Sequence, residues 1–446
     1  MKEFTLAYVP VGVPTFELVS ANEQFEKSKK MLSSLCENVV FPDEMLLSLE
    51  KLTAFLDSID PDLIVFQNVT FANSAYISEV LKRFSCPLLL WTLREPAIDG
   101  TRLRLNSLTG AFSAANTVKY FRKDQFGYVF GSPEEEKVIS ETAAYIEAAR
   151  VKKSLKSLKM ASVGHTPQGF GFGRALDCEL LKTFGVTLES IEARELIEKA
   201  KAYSDEEAKA YLEKAKKAMN GLENTPKKNA LDFARLYKAY DEYCKNAGIG
   251  ALSSRCWPDF FVSFGTPVCA VLSMLNDMGV AAACEADTYG ALSMYIGMLL
   301  SKKSVFFGDP VSLDEKENTV TFWHCGMAAC SLAREDTGAC IGVHCNRKIG
   351  PTMEFGCKES DKATIFRVGK KPDGSFRFYI AKGSALDKPK QFFGTSTVVK
   401  IDGDAEKLIK KSVRDGWEPH LAVIYKDVSA SLRALGEMLS VEVCEY

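Results

Sequence analysis

The chain has 446 residues, 46% of them hydrophobic and 26% charged, with a formal net charge of −2. That length predicts two or three domains, and the near-neutral balance excludes the basic footprint of a nucleic-acid or acidic-membrane binder. No stretch approaches the ~20 apolar residues that span a bilayer, and Met1-Lys2-Glu3-Phe4 lacks a signal-peptide layout. Thirteen scattered cysteines are therefore expected to be reduced thiols in a cytoplasmic protein, not a disulfide framework.

From residue 1 to 157, strand-like runs at 5–11, 39–41, 63–67, 88–91 and 127–130 alternate with helical patterns such as 43–59 and 74–84. Alternation of this kind predicts a doubly wound α/β domain, a parallel sheet with helices on both faces. The basic stretch at 151–159 reads as a solvated helix end leading into a linker, since cations suit helix C-termini. A second doubly wound domain is expected over 158–303, with strand signals at 160–164, 250–253 and 281–284 and helices at 175–184, 205–220 and 230–247. Beyond 304 the pattern changes to strands without helices between them, at 305–307, 318–323, 363–368, 375–380 and 396–401. Lys371-Pro372-Asp373-Gly374 has hairpin-turn chemistry. The section 304–446 is thus expected to be mainly antiparallel and barrel-like, closing on helices at 404–414 and 428–439 around a strand-like run at 421–425.

Several stretches suggest chemistry. Gly169-Phe170-Gly171-Phe172-Gly173 lacks the spacing of a dinucleotide loop and reads as a tight turn feeding a helix. Cys325, Cys330, Cys340, Cys345 and Cys357 concentrate in one region with His324 and His344, but no two share the short knuckle spacing of a zinc site. Glu285 is the sharpest signal. It ends the small, apolar run Ala281-Ala282-Ala283-Cys284, and an acidic residue is seldom buried without a partner. A salt bridge is the competing reading. Asp309 ends a second apolar run, Val305-Phe306-Phe307-Gly308, and His420 stands just before an apolar strand. Ligands of α/β folds gather at the carboxyl ends of strands. Two carboxylates and one imidazole make a mixed oxygen and nitrogen set suited to Mn²⁺ or another divalent ion.

These residues resemble the L-fucose/L-arabinose isomerase family. The resemblance is carried by Cys284-Glu285-Ala286-Asp287-Thr288-Tyr289-Gly290, by Phe306-Phe307-Gly308-Asp309, and by His420-Leu421-Ala422-Val423-Ile424-Tyr425-Lys426-Asp427. Cys256-Trp257-Pro258, Leu90-Trp91 and Asn106-Ser107-Leu108-Thr109-Gly110 fit its smaller branch. The resemblance implies a divalent metal held by Glu285, Asp309 and His420, and aldose–ketose isomerisation through a cis-enediol with Glu285 and Asp309 moving the protons. It further implies a homo-oligomer, trimeric or hexameric, with its active sites at subunit interfaces. Arg255, Trp257 and His324 are the expected substrate-binding residues. Arg347 and Lys348, on a polar loop, are placed to hold an anionic group of a modified sugar if that loop lies near the site. The chain departs from the larger fucose isomerases at Gly12-Val13-Pro14-Thr15, where those enzymes carry a substrate-binding arginine. The sugar is thus left open among L-fucose, L-arabinose, D-arabinose and a sulfonated hexose such as sulfoquinovose. Two other classes stand beside this reading: a non-catalytic sugar-binding protein, and an interaction protein stabilised by zinc on the cysteines between 325 and 357.

Overall fold

Continuous apolar runs build the first sheet. In a computed structural model describing residues 3–122 and 125–446, β1 (Leu6–Val11), β2 (Val39–Val40), β3 (Leu63–Asn68), β4 (Leu88–Thr92) and β5 (Gly127–Phe130) pair in parallel in the order β2-β1-β3-β4-β5. Met1 and Lys2, from the N-terminal stretch read above, lie outside the described residues. Every residue of β1, β3 and β4 is buried, as both-face coverage of a parallel sheet requires. The accompanying helices are α1 (Leu18–Leu35), α2 (Leu49–Asp57), α3 (Ser74–Arg83), α4 (Ser107–Arg122) and α5 (Glu136–Ser157). Helix α2 begins later than its periodicity predicts because Ser48 caps it, its hydroxyl accepting the Lys51 N–H. Val9, Phe66 and Leu90 of the sheet pack with Leu52, Ile77 and Val118 of the helices. The basic stretch is an amphipathic helix end, with Val151 and Leu155 buried and Lys153 paired to Asp62 at 2.7 Å. These elements, up to Ser154, form one compact unit together with Ala430–Val441; Leu155–Ser429 and Glu442–Tyr446 form another.

The second unit opens on a parallel sheet of β6 (Lys159–Val163), β7 (Thr187–Ile191), β8 (Ala251–Ser254) and β9 (Ala281–Cys284), in the order β7-β6-β8-β9. Its helices are α6 (Asp177–Phe184), α7 (Ala193–Ala202), α8 (Asp205–Ala218), α9 (Lys227–Ala247), α10 (Cys269–Asp277) and α11 (Thr288–Ser301). The chain then changes regime, as the loss of helical periodicity after 304 predicts. It forms β10 (Phe306–Asp314), β11 (Thr319–His324), β12 (Ile341–Gly342), β13 (Thr352–Met353), β14 (Phe355–Gly356), β15 (Ser360–Lys370), β16 (Phe376–Leu386) and β17 (Thr395–Ile401). After these come α12 (Ala405–Arg414), β18 (Leu421–Ile424), α13 (Ser429–Leu439) and β19 (Glu442–Glu445). The pairings β10–β11, β11–β17, β17–β16, β16–β15, β15–β18 and β18–β10 are all antiparallel and return to their start. A circuit of this kind leaves none of its members an open edge. The predicted turn joins β15 to β16, with Gly374 at φ +86°. The α/β class expected from sequence is therefore the class observed: parallel sheets first, a mainly antiparallel sheet last.

Helix α11 is almost wholly buried and touches β8 and β9 on one side and β15 and β18 on the other. Gly290 permits that closeness, since a Cβ there would collide with the Phe307 ring. Between β10 and β11, a Cβ on Gly308 would collide with the Trp323 carbonyl oxygen, a backbone atom that cannot swing aside. Gly308→Ala is therefore expected to destabilise the protein by ~1–3 kcal/mol, read as a lower urea midpoint at unchanged slope.

Candidate active site

Three strands of the parallel sheet deliver loops to one place. After β8 come Arg255 and Trp257, after β9 comes Glu285, and after β6 comes the loop carrying Phe170 and Phe172. The strand order reverses direction between β6 and β8, the position where open α/β sheets collect ligands. From the antiparallel circuit, Gly308 pairs with Leu421 and Asp309 with Trp323. That register brings Asp309, within β10, beside His324 at the end of β11 and His420 just before β18.

His420 is the hub. Its Nε2 lies 3.0 Å from Glu285 Oε2 and 3.6 Å from Asp309 Oδ1. Its Nδ1 lies 2.9 Å from Asp287 Oδ2. A carboxylate only accepts, so Nδ1 carries a proton and Nε2 is the nitrogen aimed at the two outer carboxylates. Asp287 is in turn held by Arg367, at 2.8 Å from Nη1 and 3.1 Å from Nη2, and Nη1 also donates to the His420 carbonyl at 2.9 Å. Arg367 and Asp287 are both fully buried. Neither was assigned a role from sequence. A charged residue inside the apolar strand Ile365-Phe366-Arg367-Val368 was the available signal. Asp287 also caps α11, accepting the Gly290 N–H at 2.9 Å.

Glu285 and the following Ala286 both have left-handed backbones, φ +58° and +55°. For residues with a Cβ this is strained. The turn is held by Ala286 N–H donating to Ser254 O at 3.0 Å and Asp287 N–H to Cys284 O at 3.1 Å. Trp257 Nε1 donates to the second Glu285 oxygen at 3.2 Å.

The electrostatics separate the two outer carboxylates. Burial favours a neutral Glu285, but its hydrogen bond with His420 and the charges of His324 and His420 outweigh that and hold its pKa below the ordinary value. At Asp309 burial wins and pushes the pKa up, against the attraction of His420 and His324. Burial also opposes a charge on His420, yet hydrogen bonds to Asp287 and Glu285 push its pKa up to about 10.

A cavity of about 250 Å³ opens on this cluster, lined by Trp257, Glu285, Asp309, Trp323, His324, Cys325, His344, Asn346 and Arg347. Its size suits one small molecule, at the lower end of ligand sites. The Phe172 ring stands edge-on to His420 with centroids 5.4 Å apart, and Phe170 stands edge-on to Trp257 at 5.9 Å. The Gly-Phe loop, expected only as a turn into a helix, thus also packs its rings against the cluster. Of the expected substrate residues, Trp257 and His324 line the cavity. Arg255 does not; it is tied to Asp259 at 2.8 Å and to the Trp257 carbonyl at 3.3 Å.

Among the described residues, the group of three able to hold a metal ion is Glu285, His324 and His420, with donor atoms within 4.8 Å of one another. The hydrogen bonds separate the two histidines. His324 Nδ1 accepts the Cys325 N–H at 3.0 Å, so its proton sits on Nε2, a buried nitrogen with no partner among the described residues. His324 is therefore set up as a donor, whereas His420 commits Nδ1–H to Asp287 and turns Nε2 to Glu285 and Asp309, where a bound cation would take the place of the Nε2 proton. Asp309, whose Oδ1 lies 3.6 Å from His420 Nε2, stands beside this group without being one of its three members. Among the described residues no such group is built on the cysteines between 325 and 357, and none of the thirteen cysteines is in a disulfide. Four of them, Cys256, Cys269, Cys284 and Cys325, are buried, and Cys325 also lines the cavity.

The sequence profile of the L-fucose isomerase C-terminal domain matches residues 324–446. The sulfoquinovose isomerase of Clostridium sp. (strain MSTE9) is 64% identical over 446 residues, covering 100% of both chains. The chain belongs to the fucose-isomerase-like family. It is an aldose–ketose isomerase. Proteins of the same name from Priestia aryabhattai and Alkalicoccus urumqiensis are 38% and 35% identical, over 100% and 99% of both chains respectively. Among the described residues no helix of this isomerase is long and apolar enough to cross a membrane.

Arg367→Met would leave Asp287 buried and facing no guanidinium, and is expected to cost ~3–5 kcal/mol in urea unfolding. Adding Asp287→Asn removes the stranded charge, so the double variant is expected to be more stable than Arg367→Met alone, a coupling that a double-mutant cycle measures.

Proposed function

We propose that this isomerase interconverts sulfoquinovose and its ketose through a cis-enediol, with a divalent cation, Mn²⁺ foremost, held by Glu285, Asp309 and His420. What carries the reading is the convergence of two carboxylates with opposite pKa shifts on one imidazole inside a sugar-sized cavity. The full-length identity to proteins named sulfoquinovose isomerase supports the choice of sugar. When bound, the cation supplies Lewis acidity, polarising the sugar carbonyl and acidifying the neighbouring hydroxyl.

The chain's own residues do the rest. Glu285, held ionised, takes the proton from one carbon and returns it to the next; Trp257 Nε1 fixes the carboxylate for this task. Asp309, whose pKa is raised toward the working range, relays the proton between the two oxygens. Pairs of carboxylates pushed apart in this way commonly divide base and acid roles. His324 Nε2–H donates to a sugar oxygen, and Trp257, Trp323 and the rings of Phe170 and Phe172 exclude water from the enediol. Arg255 acts at one remove, holding the loop that carries Trp257. The sections 1–157, 158–303 and 304–446 are the working parts of this proposal, the second bringing Glu285 and the third Asp309 and His420.

Turnover in D2O tests the mechanism. Deuterium is expected at C1 of the ketose or C2 of the aldose, and its complete absence would indicate a hydride shift and sink the enediol. Chelation is expected to abolish turnover and Mn²⁺ to restore it, while Glu285→Gln remains inactive with Mn²⁺ present.

The proposal includes a cytoplasmic homo-oligomer, trimeric or hexameric, with sites at subunit interfaces. Its support is an apolar stripe on α4: Leu108, Phe112 and Tyr120 recur on one helical face and are 44%, 74% and 83% exposed. Phe112→Glu is expected to shift the mass measured by light scattering toward the single chain. An unchanged mass would remove α4 from the interface.

A further inference from the structure

Of the residues lining the cavity, Arg347 is the one arginine or lysine. It sits on a loop closed by two backbone hydrogen bonds, His344 N–H to Ile349 O at 3.0 Å and Lys348 N–H to His344 O at 2.8 Å. The loop is pinned further: Asn346 N–H donates to His344 Nδ1 at 3.3 Å, and the buried His344 ring stands edge-on to Phe261 at 5.0 Å. The guanidinium stands over two rings beside that base. Its central carbon is 5.1 Å from the Phe261 ring centre and 5.5 Å from that of Trp257, the tryptophan that also binds Glu285. Among the described residues no carboxylate pairs with it. This sets Arg347 apart from Arg255, Arg334 and Arg367, each of which meets an acidic side chain.

A cation held by two rings keeps its fork of N–H donors free while its position is fixed. Glu285 and Asp309, in the same cavity, would repel an anion from the reacting end of a sugar. The arginine would attract it to the other end. Resting on the proposed isomerisation, we infer that Arg347 is the specificity-determining residue that takes the anionic group of the substrate, a sulfonate on the carbon farthest from the carbonyl. The guanidinium donates two parallel N–H bonds to two sulfonate oxygens, a match an ammonium cannot reproduce. The same contact orients the sugar, because a molecule anchored at its far end presents C1 and C2 to Glu285 and Asp309. Lys348, the neighbouring cation, is not part of this contact; its Nζ lies 5.8 Å above the Phe393 ring.

The test compares sulfoquinovose with quinovose, the same sugar without the sulfonate, on the metal-loaded full chain. The readout is the ratio of kcat/KM for the two. Arg347→Gln is expected to lower that ratio about 10- to 100-fold, mostly through KM for sulfoquinovose, as loss of a charged hydrogen bond does. Arg347→Lys is expected to recover part of the loss, and Lys348→Gln to leave the ratio at the wild-type value. An equal fall on both sugars, or an undiminished ratio in Arg347→Gln, overturns the assignment while leaving the sulfosugar reading intact. A wild-type enzyme that prefers quinovose overturns both.

Discussion

A charge placed where water cannot reach it has to be balanced by the protein itself, and Asp287 is such a charge. Arg367 grips it from β15, His420 leans on it from the start of β18, and its own backbone begins α11. One carboxylate thereby ties a helix of the α/β part to two strands of the antiparallel circuit. The consequence for chemistry is a fixed imidazole. With its near nitrogen committed to Asp287, His420 can turn only its far nitrogen toward Glu285 and Asp309. Breaking such a chain at one member strands a buried charge, and the free energy involved exceeds that of most surface contacts.

Around this fixed chain the site holds its strain. Glu285 and Ala286 adopt a conformation that costs about 1–3 kcal/mol per residue, stabilised by bonds to the ends of β8 and β9. The strand before them is made of alanines for reasons of packing. Ala281, Ala282 and Ala283 are fully buried, and Asn276 brackets Ala282 with bonds to both its N–H and its carbonyl. Their small size lets α10 and α11 close on the sheet. Glu285 is thus aimed by a rigid, crowded support, as a group that must meet one carbon atom requires.

Much of the frame can be read from the chain because parallel strands are continuous apolar runs, and the switch after 304 to strands with no helices between them is equally plain. What escaped notice has physical reasons. Strands β12, β13 and β14 have two residues each, too few to show a period. Strand β10 continues past Pro310, because a register shift between Pro310 and Ser312 absorbs the proline. Glu285, Asp309 and His420 stand out because acids and imidazoles at the ends of apolar strands are expensive unless employed. Arg367 and Asp287 do not, because their pairing across 80 positions depends on how β15 and α11 meet. The direction of the His324 ring is hidden for another reason, being set by a backbone N–H one residue away. Phe170 and Phe172 look like turn decoration until the β6 loop is seen against His420.

The antiparallel circuit has a bearing on how such a gene can change. Asp309, His324 and His420 meet because Gly308 faces Leu421 and Asp309 faces Trp323. In a strand, moving the register by one residue turns every side chain to the opposite face. Insertion or deletion of a single codon within β10, β11 or β18 would therefore scatter the cluster while leaving its residues in the sequence. In a closed ring the neighbouring strand cannot slide along to compensate. Descendants of this gene are accordingly free to vary the lengths of loops outside the ring that carry no site residue, and are held to fixed lengths inside it.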